Sequence, residues 1–207
     1  MPRPRLREVH DFADQVWEYR AELYDHVAVR PIGRSPTLTT TPDLPSSWWT
    51  ALRLALDDTA TVATDRRTTD QQYLDWAMPR FLGTPIETRA PSWTTAHGDL
   101  HWANLTGPRL KIFDWEGWGL APTGYDAATI HSYSLLVPGM VIRIRNEFAD
   151  ILSTESGRFA ELVAITELLH STTRGDNLRL ADPLRRRAAH LLRRAVPSSL
   201  RTTAGGG

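Results

Sequence analysis

The amino-acid sequence predicts an α+β protein in which helices predominate. Apolar residues return at spacings of three and four along much of the chain, the rhythm of helices with one buried face. Between Trp93 and Pro122 that rhythm breaks into short apolar pieces set among glycines, tryptophans and acids, the texture of small strands joined by loops. The chain has 207 residues, 41% of them hydrophobic, and no internal repeat, which suits one main core.

Taken in order, Arg5 to Tyr24 carries Leu6, Val9, Phe12, Ala13, Val16 and Trp17 at helical spacing and predicts a helix. Val27, Val29 and Ile32 predict a short strand, stopped by Pro31 and the Gly33 to Pro36 segment. A connector rich in Thr, Pro and Ser follows from Ser35 to Ser47, and Trp48, Trp49, Leu52 and Leu54 open a second helix. Thr68 to Phe81 is helical in period and ends at Gly83 and Pro85. Beyond the punctuated stretch, Tyr125 to Leu136, Met140 to Leu152, Arg158 to His170 and Pro183 to Arg194 each suit a helix, and Pro197 with the terminal glycines predicts a frayed end.

Charge and composition exclude several classes of function. Lys+Arg and Asp+Glu both number 24, so no net field gathers a polyanion, and nucleic acid is not an expected partner. There is no cysteine, which removes disulfides, thiolate zinc sites and a cysteine nucleophile and fits a reducing, cytoplasmic setting. Met1 to His10 is basic and proline-broken with no apolar run after it, and the most apolar later stretch, Tyr133 to Ile144, is broken by Pro138 and Gly139, so neither a signal peptide nor a membrane span is expected.

The chemistry concentrates in His97-Gly98-Asp99-Leu100-His101-Trp102-Ala103-Asn104 and, after a turn at Gly107-Pro108, in Ile112-Phe113-Asp114-Trp115-Glu116. Phosphoryl transfer from a nucleotide needs a carboxylate to orient an attacking hydroxyl and accept its proton, and hard oxygen ligands for Mg²⁺ on the phosphates. Asp99 suits the first task. Asn104 offers a neutral oxygen and Asp114 a charged one, enough to hold a magnesium between them. A zinc peptidase is the rival for His97 and His101, which stand four apart, but Gly98 disfavours a helix and occupies the place where the zinc motif carries Glu. His10, His26, His131, His170 and His190 stand singly and read as core or surface histidines. The tryptophans Trp93, Trp102, Trp115 and Trp118 read mainly as core, with Trp118 the best candidate for exposure. Arg185-Arg186-Arg187 and Arg193-Arg194 read as a solvated helix face.

The Asp99–Asn104 spacing followed by Asp114 is similar to the protein-kinase catalytic loop and its metal aspartate. In detail the chain resembles the aminoglycoside phosphotransferase family of small-molecule kinases, in the His-Gly-Asp-Leu-His-x-x-Asn loop, the Asp-Trp-Glu triplet and the Gly119 to Ala128 continuation. The resemblance implies a protein-kinase-like fold: a helical C-terminal lobe with a small β-hairpin region for the catalytic loop, and a truncated N-terminal lobe. It implies Asp99 as catalytic base, Asn104 and Asp114 as Mg²⁺ ligands on the ATP phosphates, and His97, His101 and Asp126 as supports of the loop. Residues 1–45 would be a remnant of the small lobe with hinge and connector, 46–196 the catalytic lobe and 197–207 a flexible tail.

The departure from that family is large. Lys111 is the only lysine, three residues before Asp114, where it is expected to face solvent, and no glycine precedes Gly33. The small-lobe lysine and the glycine loop that cover ATP therefore have no counterpart here. Two functions stay open at this point: an ATP- and Mg²⁺-dependent phosphotransferase acting on a hydroxyl of a small molecule, or an inactive remnant or binding module of the same fold. A small lobe encoded upstream of Met1 would decide for the first.

Overall fold

A computed structural model of the chain describes residues 1–195. The chain opens with an antiparallel hairpin, β1 (Leu6–Ala13) and β2 (Glu18–Tyr24), and continues through irregular chain to α1 (Ser46–Ala60) and α2 (Gln71–Leu82). A second two-stranded sheet pairs β3 (Trp93–Ala96) with β4 (Gly119–Pro122), and among the described residues the elements after it are helices. Those helices are α3 (Tyr125–Tyr133), α4 (Pro138–Glu147), α5 (Ala149–Leu152), α6 (Glu155–Thr172) and α7 (Ala181–Ala195). The architecture is α+β and mostly helical, and the tail expected over 197–207 lies outside the described residues.

The helix expected over Arg5 to Tyr24 is replaced by the hairpin. Asp14 decides the matter locally: its carboxylate accepts from the amides of Val16 (2.7 Å) and Trp17 (2.8 Å), and its own amide donates to the Trp17 carbonyl, which closes a turn between the strands. The spacing of three and four coexists with a period of two that places His10, Phe12, Tyr19, Ala21 and Leu23 on one face and Asp11, Arg20 and Glu22 on the other. The strand expected near Val27 to Ile32 shrinks to one bridge, Pro31 to Thr106, because Pro31 supplies no amide to a ladder.

Helix boundaries follow their caps. Asp70 accepts from the Tyr73 amide at the start of α2, and Thr154 accepts from the Gly157 amide at the start of α6. The main core joins Trp48, Trp49 and Leu52 of α1 to Trp102, Leu105 and Ile112 beneath the chemical segment and to Ile130, Ile165 and Leu184. A second cluster of Leu74, Met78, Ala96, Ala121, Phe159 and Val163 seats β3 and β4 on α2 and α6. Arg187 departs from the expected solvated face of α7: with Arg145 of α4 it binds the fully buried Glu161 of α6, at 2.7 Å and 2.9 Å. Arg185, Arg186 and Arg193 are exposed as expected.

His131 is buried beside that carboxylate, its Nδ1 3.5 Å away, and burial lowers its pKa from 6.5 to about 4, with the charges of Arg187 and Arg145 acting in the same direction and Glu161 opposing. Below the ordinary histidine value the unfolded chain takes up a proton that the folded chain refuses, so stability declines as pH falls from 6.5 toward 4. Urea melts at neutral pH and at about pH 5 should show a decline that is smaller by about 2 kcal/mol in His131→Leu than in the native chain. An equal decline in both would remove the histidine from the acid limb.

The β1–β2 hairpin is the opposite of this interior. Every residue of both strands is exposed, including Phe12 and Leu23. It is tethered at its roots, where the Ile112 amide donates to the Pro2 carbonyl (2.8 Å) and the Ile32 and Gly33 amides donate to the Leu105 (2.7 Å) and Trp102 (2.9 Å) carbonyls. A lone two-stranded ribbon is marginal in water. Amide hydrogen exchange should therefore be far faster across 6–24 than across α3 and α6, and comparable protection in both would contradict the exposure.

Candidate active site

The site is assembled by β3 and β4. Their register sets Ala96 opposite Gly119, so the segment leaving β3 (His97 to Asn104) lies beside the one entering β4 (Asp114 to Trp118). Asp126, in the first turn of α3, fixes the former: its carboxylate accepts from the amides of His97 (2.7 Å) and Gly98 (3.1 Å). Burial raises the Asp126 carboxyl above its ordinary value, against the two amide bonds, which lower it.

His97 is fully buried and joins the two segments. Its Nδ1 accepts from the Asp99 amide (3.2 Å) and its Nε2 lies 2.8 Å from the Phe113 carbonyl, which assigns a neutral ring with the proton on Nε2. The ring also meets Trp115 edge to face at 4.6 Å. Asp99 and Asp114, fifteen residues apart in sequence, are thus set from the two ends of one imidazole. A further tie joins the Phe113 amide to the Asn104 carbonyl at 2.8 Å.

The Asp99 side chain is about half exposed. Burial pushes its carboxyl up, but the hydrogen bond and charge of His101 and the Asn104 amide outweigh that and leave it below the usual carboxylate value. His101 Nε2 stands 3.3 Å from Asp99 Oδ2, and the Asn104 amide nitrogen donates to the Asp99 carbonyl (3.0 Å) and Oδ2 (3.3 Å). Committing the nitrogen to Asp99 leaves the Asn104 oxygen as the ligand end. Asp114 is exposed and sits at φ 61°, ψ 63°, a left-handed conformation uncommon for a residue with a side chain. One carboxylate and one amide oxygen fit a hard divalent cation whose remaining ligands are phosphate and water. Among the described residues no group of three or more His, Asp, Glu or Cys is placed to hold a metal without such help.

Among the residues of these segments singled out from the sequence, His97, Asp99, His101, Asn104 and Asp126 form one connected group, with Asp114 joined to it through Phe113. Two side-chain expectations are corrected. Trp118 is half-buried, while Trp17 and Trp76 are the exposed tryptophans, at 66% and 48%. Lys111 is half-buried and donates to the Arg3 carbonyl at 3.4 Å, because the chain's first residues lie along Ile112.

One acid escaped the sequence reading. Glu167 of α6 accepts from the Tyr125 hydroxyl and feels the charge of Asp99, and burial raises its pKa to about 7. Hydrogen bonds from Tyr125 and Thr69 hold it down against that. In sequence it is one of three acids of α6, with Glu155 and Glu161, and no motif marks it.

Beside Asp114 a cleft of about 770 Å³ opens toward the hairpin, lined by Leu6, Tyr24 and His26 above and by Arg66, Asp114 and Trp118 below. The arrangement is that of a protein-kinase-like α+β fold, mostly helical, with two small antiparallel sheets and the chemical loops on the second of them. No protein-family model and no curated protein matches the chain. Among solved structures it is similar to the amicoumacin kinase hAmiN in complex with AMP-PNP, Ca²⁺ and Ami, with a TM-score of 0.50 and 12% identity over 94% of this chain and 73% of that one.

Gly98 is where this geometry is least forgiving. Its φ is +89°, and a Cβ there would fall on the Gly117 carbonyl and within 2.8 Å of Thr68 Oγ1. Gly98→Ala should lower stability by about 2 kcal/mol in thermal melts and shift the Asp99 and Phe113 amide resonances. Gly117→Ala, whose Cβ would meet open space, is the control and should change stability by less than about 1 kcal/mol.

Proposed function

We propose that the chain carries the catalytic lobe of a phosphotransferase that moves the γ-phosphoryl group of ATP to a hydroxyl of a small molecule. The observation that carries this reading is the imidazole of His97, held between the Asp99 amide and the Phe113 carbonyl, which ties the segment of a candidate base to that of a metal-competent aspartate lining a cleft. Asp99, with its carboxyl below the usual range, is ionised at neutral pH and accepts the acceptor's proton. The hydroxyl oxygen forms its bond to the γ-phosphorus as the bond to the ADP oxygen breaks. Asn104 and Asp114 would hold Mg²⁺, which when bound neutralises charge on the phosphates. The structural neighbour was solved with a nucleotide analogue and a divalent cation, which supports the same pair of ligands here.

Residues 46–196 form the catalytic lobe in this reading and 1–45 the remnant of the small lobe. The acceptor is a small molecule rather than nucleic acid or membrane, and Glu167 near Asp99 suits one rich in hydroxyls or amines. Among the described residues no helix is long and apolar enough to cross a membrane, and the absence of cysteine is compatible with a cytoplasmic setting. The full exposure of the hairpin favours the second reading, an inactive remnant, since a marginal ribbon makes a poor cover for a nucleotide.

Calorimetry with AMP-PNP and Mg²⁺ separates the two. Binding by the native chain that weakens about tenfold or more in Asp114→Asn, a change that keeps a residue tolerant of the left-handed backbone, supports the enzyme. Asp99→Asn should then leave binding intact and lower phosphoryl transfer to screened acceptors by about 10²–10⁴-fold. No binding by the native chain at millimolar nucleotide would establish the remnant.

A further inference from the structure

A nucleotide triphosphate with one divalent cation keeps net negative charge, and a protein site that holds it supplies a fixed cation. The sequence has no lysine for the task, yet three arginines line the cleft beside Asp114: Arg3, Arg20 and Arg66. Arg20 is already engaged by both oxygens of Asp11, through Nε at 2.8 Å and Nη2 at 3.0 Å, and stands on the exposed hairpin. Arg3 belongs to the chain's opening segment and has only its carbonyl tied, by Lys111.

Arg66 is different because the loop that carries Asp114 holds it. Its Nε donates to the Trp118 carbonyl (3.1 Å), its Nη2 to the Glu116 carbonyl (2.7 Å), and its guanidinium lies 5.1 Å from the Trp118 ring centre. The backbone is pinned as well: the Leu120 amide donates to the Arg66 carbonyl at 2.8 Å, and Arg67 bridges to Leu120. So close is the approach that a Cβ on Gly119 would lie 2.8 Å from the Arg66 carbonyl carbon. Two main-chain acceptors take Nε and Nη2, which leaves the Nη1 edge for an anion. The acids that share the cleft are partly spoken for, since Asp25 pairs with Arg7 and Glu22 accepts from the Tyr24 hydroxyl.

We infer that Arg66 is the phosphate-anchoring residue of this cleft, a guanidinium locked on the Glu116 and Trp118 carbonyls that binds the polyphosphate of a nucleotide held at Asp114. The inference rests on the nucleotide reading of the site. A pre-immobilised arginine loses little side-chain freedom on binding, so one such cation goes further than a mobile lysine.

Affinity for AMP-PNP with Mg²⁺ and for adenosine, measured by calorimetry on the full chain, tests it. Arg66→Met keeps the apolar stem over Trp118 and removes the charge; AMP-PNP should bind about tenfold or more weakly while adenosine binds as before. Arg66→Gln, which keeps an amide donor for the carbonyls, should behave the same, and circular dichroism confirms that both variants fold. Equal weakening of both ligands would make Arg66 a structural strap and overturn the inference. Unchanged AMP-PNP binding in Arg66→Met, with loss in Asp114→Asn, would overturn it while leaving the nucleotide reading standing. Failure of the native chain to bind AMP-PNP would remove both.

Discussion

The carboxylate of Asp126 is the interaction on which the site depends. It lies on α3, a helix buried along its whole length, and it takes the amides of His97 and Gly98. The rest of that segment is measured from that anchor: His97 turns its ring to Phe113, Asp99 follows from the same turn, and Asn104 closes back on Asp99. A buried carboxylate with two amide donors is favourable only while both bonds are made. The loop is therefore held by an all-or-none contact and not by the sum of many weak ones.

The helices that carry this anchor are themselves organised around buried charge. Glu161 draws Arg145 and Arg187 inward from α4 and α7 and lies beside His131 of α3, so one side chain of α6 ties two other helices and packs against a third. Such an ion group adds little net stability against an apolar replacement, but it is costly to leave half made, which fixes the register of the four helices. On the same helix Glu167 feels the charge of Asp99, and burial raises its pKa to about 7. The helix α6 thus serves the core with one acid and the site with another.

The chemical segment was legible because its signals are local. A glycine that must sit at positive φ, an aspartate two residues on from a histidine, and a second aspartate across a short turn are constraints a linear reading can see. The helices beyond Tyr125 were legible for the same reason, through period and caps, although Met140 to Leu152 divides in two at Phe148. The opening hairpin was misread because spacings of three and four and of two overlap there, and Asp14, whose turn settles it, looks like any polar residue in a helix. Arg187 and Glu167 were hidden for another reason: their partners are far away in sequence, and only packing brings them near.

The cleft has two unlike walls. The lower one is fastened through Asp126 to the buried core, whereas the upper one is a ribbon joined to the rest at its roots. A ligand closing the cleft would have to immobilise the ribbon while finding the lower wall already set. Its association would then carry an ordering penalty from one side only, visible as favourable enthalpy offset by unfavourable entropy. Stiffening the ribbon would strengthen binding without a single new contact to the ligand.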